Sequence, residues 1–235
     1  MLRSPTAADA EMLTAAHPTR ILVTLAPEQV PEGFIAKLTA RGVHVAIGHS
    51  MATYAQTRRA LHEGARGFTH LFNAMRPLGS REPGPIAAAL ETPDAFFGMI
   101  VDGLHVDPAM LRLALRGRAR PMLVTDAMPP VGGRKGSFTL YGDTISASGG
   151  ACVRADGTLA GTALDMAQAV RNCVAWLEVP LTAALQFAST HPADFMGVGD
   201  TLGRLRPGYR ADVVAFLPDD LQILATWVAG QQSVR

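Results

Sequence analysis

Cysteine is scarce: Cys152 and Cys173 are the only two in 235 residues, and they do not form a CxxC pair. That leaves no basis for a disulfide framework and points to a reduced cytosolic setting, with both thiols read as inert rather than catalytic. Lysine is nearly absent too, with Lys37 and Lys135 alone among many arginines, a bias that says nothing about chemistry. Charge of either sign is not in excess. A formal net charge of +1 gives no reason to expect a polyanion or an anionic membrane surface as partner, so no nucleic-acid role is expected. No apolar run approaches the roughly 18 residues of a membrane span, and the opening MLRSPTAADAEML has no apolar segment of the signal-peptide kind. A soluble, cytoplasmic chain with no membrane partner is expected. Internal repeats, low-complexity stretches and a glycine-rich nucleotide fingerprint are also missing.

What is present is a large apolar fraction, 48% of the chain, enough to bury a sizeable core in one large domain or one domain with a small appendage. Five apolar runs have strand length: RILVTLAP (20–27), VHVAIGHS (43–50), GFTHLFNA (67–74), FFGMIVDGLHVD (96–107) and PMLVTDA (121–127). Each is predicted to be a buried, parallel strand. Helix starts lie between them. Thr53 with Gln56 forms a T-x-x-Q capping box with Gly64 as the stop, and Asp107-Pro108 is an N-cap followed by proline at the first helical position. Glu11 sits in a helical AADAEML pattern.

Repeated βα units suggest an open doubly wound sheet or a (β/α)₈ barrel. The polar residues favour the barrel, because His49, His70, His105 and Asp126 lie at the C-terminal ends of different strands, which a barrel gathers at one face. Beyond the fifth strand, the turn signals Tyr141-Gly142-Asp143-Thr144 and Ala155-Asp156-Gly157-Thr158 predict a meander or hairpin insertion at about 134–160. Thr162 with Asp165 is expected to open a helix through about Leu177, and Pro180 another. After the Pro207-Gly208 turn the tail returns to strands in RADVVAFL and QILATWVAG.

His49 and His70 are 21 residues apart, one βα unit, so they can share a ligand only as neighbours on adjacent strand ends. Singly, each reads as a core or surface histidine. Together, and with Asp126 on the last strand of the series, they admit a metal site on equal terms. A divalent ion there would acidify a water and polarise a carbonyl, while a neighbouring carboxylate moves the proton to a leaving amine. His17, His44, His62 and His191 read as structural. His105, just past a strand end and ahead of a capped helix, reads as functional. Arg81 in GSREPG is a solvated loop arginine on composition alone, or an anion clamp suited to phosphate. Asn73 and the backbone amide of Ala74 could donate to the same anion.

The motifs GHS, HLFNAM followed by REPG, DGLHVD, LVTDAM and GTLAGTALDM, in this order and spacing, resemble the N-acetylglucosamine-6-phosphate deacetylases of the amidohydrolase superfamily. LAPE at 25–28 and the ending GRLRPGYRADVVAF fit as well, so the resemblance runs along essentially the whole chain. It implies an α/β fold: about five of the eight strands of a TIM-type barrel in residues 1–198, and part of a small β-sandwich in 199–235. It implies that His49 and His70 bind a divalent metal, zinc first, and that Asp126 is the catalytic acid/base. Asn73 and Ala74 would touch the sugar phosphate, and Arg81 would reach it across a homodimer interface. His105 would contact the substrate, and Ala160, Gly161 and Thr162 would line the pocket. The implied reaction is hydrolysis of N-acetylglucosamine 6-phosphate to glucosamine 6-phosphate and acetate, in amino-sugar catabolism.

The chain also departs from that pattern. The glutamate of an L-E-G-P type motif, which supplies the third metal ligand, is not in it, nor are an upstream substrate-contacting histidine and the first half of the sandwich. Five strands do not close an eight-stranded barrel, and two histidines make an incomplete metal site. The expectation is that Met1 is an internal start and the chain a fragment of a longer enzyme. Two other readings stay open. One is an amidohydrolase acting on a cyclic amide, against which HLFNAM and Arg81 argue; the other is a non-catalytic sugar-phosphate-binding fragment that keeps Asn73, Arg81 and His105.

Overall fold

The structure is a computed structural model, described for residues 4–15, 19–133 and 136–233. His17, read above as structural, lies outside the described residues, as does Arg134, where the hairpin insertion was expected to begin. The chain divides into two compact units, Met1–Gly98 with Leu113–Met122, and Met99–Arg112 with Leu123–Arg235.

The first unit alternates helix and strand. Helix α1 (Ala7–Thr14) starts at a capping box in which Thr6 and Asp9 bond each other's backbone N–H. Strand β1 (Leu22–Leu25), helix α2 (Phe34–Thr39), strand β2 (His44–Ile47) and helix α3 (Tyr54–His62) follow. The Thr53/Gln56 capping box forms as its sequence requires, satisfying N–H groups that the first helical turn leaves open. Next come β3 (Gly67–Phe68), α4 (Gly84–Glu91) and β4 (Phe96–Met99); α5 (Pro108–Ala114) falls mostly in the second unit and β5 (Arg120–Leu123) mostly in the first. Asp107 caps α5 through a 2.7 Å bond from the Ala109 N–H.

All five predicted strands join one sheet in the order β1-β2-β3-β4-β5. The pairs β1–β2, β2–β3 and β3–β4 are parallel. An unbroken sequential order is that of a barrel segment; a doubly wound sheet would show a switch point. Val45, Ile47, Phe68, Phe96 and Phe97 are buried, as expected for strands covered on both faces. The third strand is much shorter than its apolar run. It stops at Phe68 because His70, Phe72 and Ala74 take φ of 33°, 79° and 48°, and a chain that turns left-handed at alternate residues cannot continue a ladder.

The second unit carries an antiparallel meander of β6 (Ser137–Leu140), β7 (Asp143–Ser148), β8 (Ala151–Val153) and β9 (Leu159–Thr162), paired in that order. Helices α6 (Met166–Leu177), α7 (Leu181–Ala188) and α8 (Thr190–Phe195) follow, then a three-stranded antiparallel sheet of β10 (Val213–Phe216), β11 (Ile223–Val228) and β12 (Gln231–Gln232). One detail corrects the sequence reading. Asp165, not Thr162, caps α6, accepting the Gln168 N–H at 2.7 Å. Thr162 ends β9, and its hydroxyl donates to the Thr125 carbonyl at 2.6 Å, a long-range bond that no local pattern announces. No helix among the described residues is long and apolar enough to cross a membrane.

Candidate active site

In the first unit, β2 and β3 are each followed two residues on by a histidine with left-handed backbone, His49 at φ 49° and His70 at φ 33°. Such a conformation costs a non-glycine residue of order 1–3 kcal/mol and persists only where surrounding structure enforces it. The enforcing contacts are visible. Thr24 and Thr69, each preceding or neighbouring a strand end, share a 2.7 Å hydroxyl bond. Gly48 lies beneath them, where a Cβ would come within 2.7 Å of Thr24 and 2.9 Å of Thr69. Only glycine fits there, so Gly48 of the GHS motif is a packing requirement, and His49 follows it directly.

The two rings meet edge to face, with centroids 4.7 Å apart and Nε2 of His70 3.0 Å from Nε2 of His49. His70 is buried and His49 exposed. Two imidazole nitrogens bound to one tetrahedral zinc at about 2.0–2.1 Å stand about 3.3 Å apart, so the pair offers the right donors at nearly the right spacing. Among the described residues no group of three or more His, Cys, Asp or Glu side chains surrounds such a position. The pair fits a metal ion in donor type and spacing and is incomplete in number.

Asn73 folds back on this turn, its Nδ2 donating to the His70 carbonyl at 3.1 Å, and Ala74 is exposed. Arg81 is exposed in the following loop. The loop itself is tied down by its neighbour: Glu82 accepts the Tyr54 N–H at 2.7 Å and the Gly84 N–H at 3.0 Å. The bond from Tyr54, foremost, holds the Glu82 carboxyl below its usual pKa.

In the second unit, Asp126 follows β5 with φ 50° and an exposed side chain. Its carbonyl accepts the Thr162 N–H at 2.9 Å, and the Met128 N–H returns to the Thr162 carbonyl at 2.9 Å. A Cβ on Gly161 would lie 2.9 Å from the Asp126 carbonyl and 2.6 Å from Met128. The Ala160-Gly161-Thr162 segment thus braces the Asp126 turn, with Thr162 fully buried and Ala160 half-buried.

His105 is held by Asp102, which the sequence reading missed. The Asp102 carboxylate receives the His105 Nδ1 proton at 2.7 Å and the backbone N–H groups of Leu104 and His105 at 2.9 Å each. The His105 and Asp102 side chains are 6% and 5% exposed. Burial pulls the Asp102 carboxyl up, but the bonds from His105 and Leu104 outweigh it and leave its pKa below the usual carboxylate value. The i, i+3 spacing within DGLH was the available signal. Asn172 supports the same turn, donating to the Val101 carbonyl at 2.7 Å; a lone asparagine inside α6 gave no hint of it. His44 is half-buried, with burial first and then Arg20 and Arg66 holding its pKa down, in keeping with a structural role.

Residues 6–233 match the Amidohydrolase family. The chain is 41% identical over 212 residues to an N-acetylgalactosamine-6-phosphate deacetylase of Shewanella sp. (strain ANA-3), covering 89% of this chain and 53% of that protein. It is 40% identical over 211 residues to an N-acetylglucosamine-6-phosphate deacetylase of Vibrio furnissii, again covering 89% and 53%. The solved N-acetylglucosamine-6-phosphate deacetylase of Pasteurella multocida superposes with a TM-score of 0.94 at 33% identity, covering 99% of this chain and 62% of that one. The chain therefore spans about half the length of the curated relatives it matches. The match across nearly all of its residues, on a sheet whose strand ends carry the histidines, shows that the chain belongs to the amidohydrolase family.

Proposed function

We propose that these residues form part of the active site of a cytoplasmic deacetylase that hydrolyses the amide of N-acetylglucosamine 6-phosphate, giving glucosamine 6-phosphate and acetate. The observation that carries the reading is the pair of Nε2 atoms of His49 and His70, 3.0 Å apart at adjacent strand ends. Both would hold a divalent ion, zinc first among candidates, and the ion would supply Lewis acidity toward the water and the acetyl carbonyl. The third donor, a glutamate by family resemblance, is not among the described residues around the pair.

Asp126 is the acid/base in this reading. Its turn is fixed by Thr162 while its carboxyl stays exposed, which suits a group that takes a proton from water and returns it to the leaving amine. His105, held in one orientation by Asp102, would donate to the substrate. Asn73 and the backbone of Ala74 would meet the sugar phosphate, and the exposed Arg81 would complete the phosphate contact in a second copy within a homodimer. Ala160, Gly161 and Thr162 shape the wall behind Asp126. We read residues 1–198 as barrel, with an insertion at about 134–160, and residues 199–235 as part of a β-sandwich; the antiparallel β10–β12 sheet supports the latter.

The test is acetate release, by this chain and by the product of its reading frame extended upstream. Substrates are N-acetylglucosamine 6-phosphate, its galacto epimer, which the relative from Shewanella makes relevant, and unphosphorylated N-acetylglucosamine. Turnover of the phosphorylated gluco sugar that disappears in His70→Ala supports the reading. Binding of sugar phosphate with no acetate from either polypeptide would replace it with the non-catalytic binding reading, which the incomplete donor set favours.

A further inference from the structure

The turn that follows β2 is gripped by a carboxylate that the proposed chemistry does not use. Glu28, the last residue of LAPE, lies on a 3₁₀ turn (Pro27–Gln29) just past β1. One carboxylate oxygen accepts the Ser50 hydroxyl at 2.7 Å and the other accepts the Met51 N–H at 2.6 Å. Ser50 is fully buried, and its Oγ in turn accepts the Ala52 N–H at 3.1 Å. From the carbonyl side, Arg76 Nε donates to Met51 at 2.9 Å and to Ala52 at 3.1 Å, and the Arg76 N–H donates to the Ser50 carbonyl at 2.9 Å.

These contacts begin at the residue immediately after His49. His49 is exposed, and besides the ring of His70 that it meets, the backbone beneath it sets where its ring can point. That backbone is left-handed, φ 49°, a conformation an L-residue leaves unless its flanks are fixed. Gly48 fixes the flank before it by close packing, and the Glu28 clamp fixes the flank after it. Arg76 binds carbonyls rather than N–H groups, so it cannot replace the acceptor that Ser50 and Met51 require.

We propose that Glu28 is the positioning residue of His49: its two oxygens lock Ser50 and Met51 so that the His49 Nε2 points at the His70 Nε2. The geometry stands by itself, while its consequence for metal affinity rests on the proposed function.

The test compares Glu28→Ala, Glu28→Gln and Ser50→Ala with the wild-type chain. Glutamine keeps an oxygen for the Met51 N–H, and its amide can donate to Ser50 Oγ in place of accepting from it, so it retains two contacts to the turn without the charge. Two readouts are taken: the NMR contact between the His49 and His70 rings without metal, and zinc affinity by titration. Outer contacts of this kind typically carry 10- to 100-fold in metal affinity. Glu28→Ala should lose the ring contact and weaken zinc by roughly that factor, Ser50→Ala should lie between, and Glu28→Gln should stay near wild type. A Glu28→Ala variant that keeps both ring contact and affinity overturns the inference, as does a Glu28→Gln variant as impaired as the alanine. If Glu28→Ala does not fold, the Ser50→Ala and Glu28→Gln pair decides the matter by the same contrast. Wild-type protein that shows the ring contact but takes up no zinc refutes the metal reading, and the NMR comparison alone then judges Glu28.

Discussion

His49 and His70 face each other through their Nε2 atoms at 3.0 Å, although each belongs to a different strand and each holds a left-handed backbone. Two strained residues meeting at their Nε2 atoms is costly to build. It is maintained by Gly48, by the Thr24–Thr69 hydroxyl bond and by the Glu28 clamp on the next turn.

Gly48→Ala tests the packing beneath that pair. The added methyl would sit 2.7 Å from Thr24 and 2.9 Å from Thr69, so one strand end must move. Overpacking of this kind typically costs about 1–3 kcal/mol. A lowered denaturant midpoint with unchanged slope is expected; an unchanged midpoint would mean that the threonines yield freely.

Asp102 should make stability sensitive to acid. Its pKa is depressed in the folded chain, so its contribution is present above the ordinary carboxylate value of about 3.9. That contribution fades as pH falls through the lower, folded value. Urea midpoints of wild type and Asp102→Asn should differ at pH 7 and converge in strong acid. A gap that is the same at both ends would show that the charge does not contribute.

The buried Cys173 should be inert in the folded chain. Burial pushes its thiol up to about 12, so almost no thiolate exists at pH 8 to attack a disulfide reagent. Labelling should follow unfolding; rapid labelling of native protein at this position would contradict the packing of α6.

Arg81 and Asp126 should separate binding from chemistry. On the proposed function, in which Arg81 meets the phosphate, Arg81→Ala should lower kcat/KM by roughly 10- to 100-fold on the phosphorylated sugar, with little change on the free sugar. Asp126→Asn should lower kcat on both by about 10²- to 10⁴-fold. Equal losses on both sugars in Arg81→Ala would remove its phosphate role.

Much of this was legible in the sequence because it is locally encoded. Five apolar runs became five strands, and T-x-x-Q and Asp-Pro became caps, since each signal acts within one turn or one ladder. The His49–His70 pairing was also readable, as equal spacing from equivalent strand ends. Contacts made across long stretches of chain were not readable. Glu28 reaches Ser50, and Thr162 reaches Thr125, over 22 and 37 residues. Thr162 accordingly read as a helix signal from its neighbours when its bond lies elsewhere. The third strand looked eight residues long because apolarity continues through Phe72, whereas positive φ at His70 had already ended the ladder.

Zinc titration of the wild-type chain beside His49→Ala and His70→Ala tests the central claim most directly. One saturable site in the wild type, lost in either variant while both remain folded, is the predicted result. No binding, or binding that survives loss of either histidine, would contradict the account.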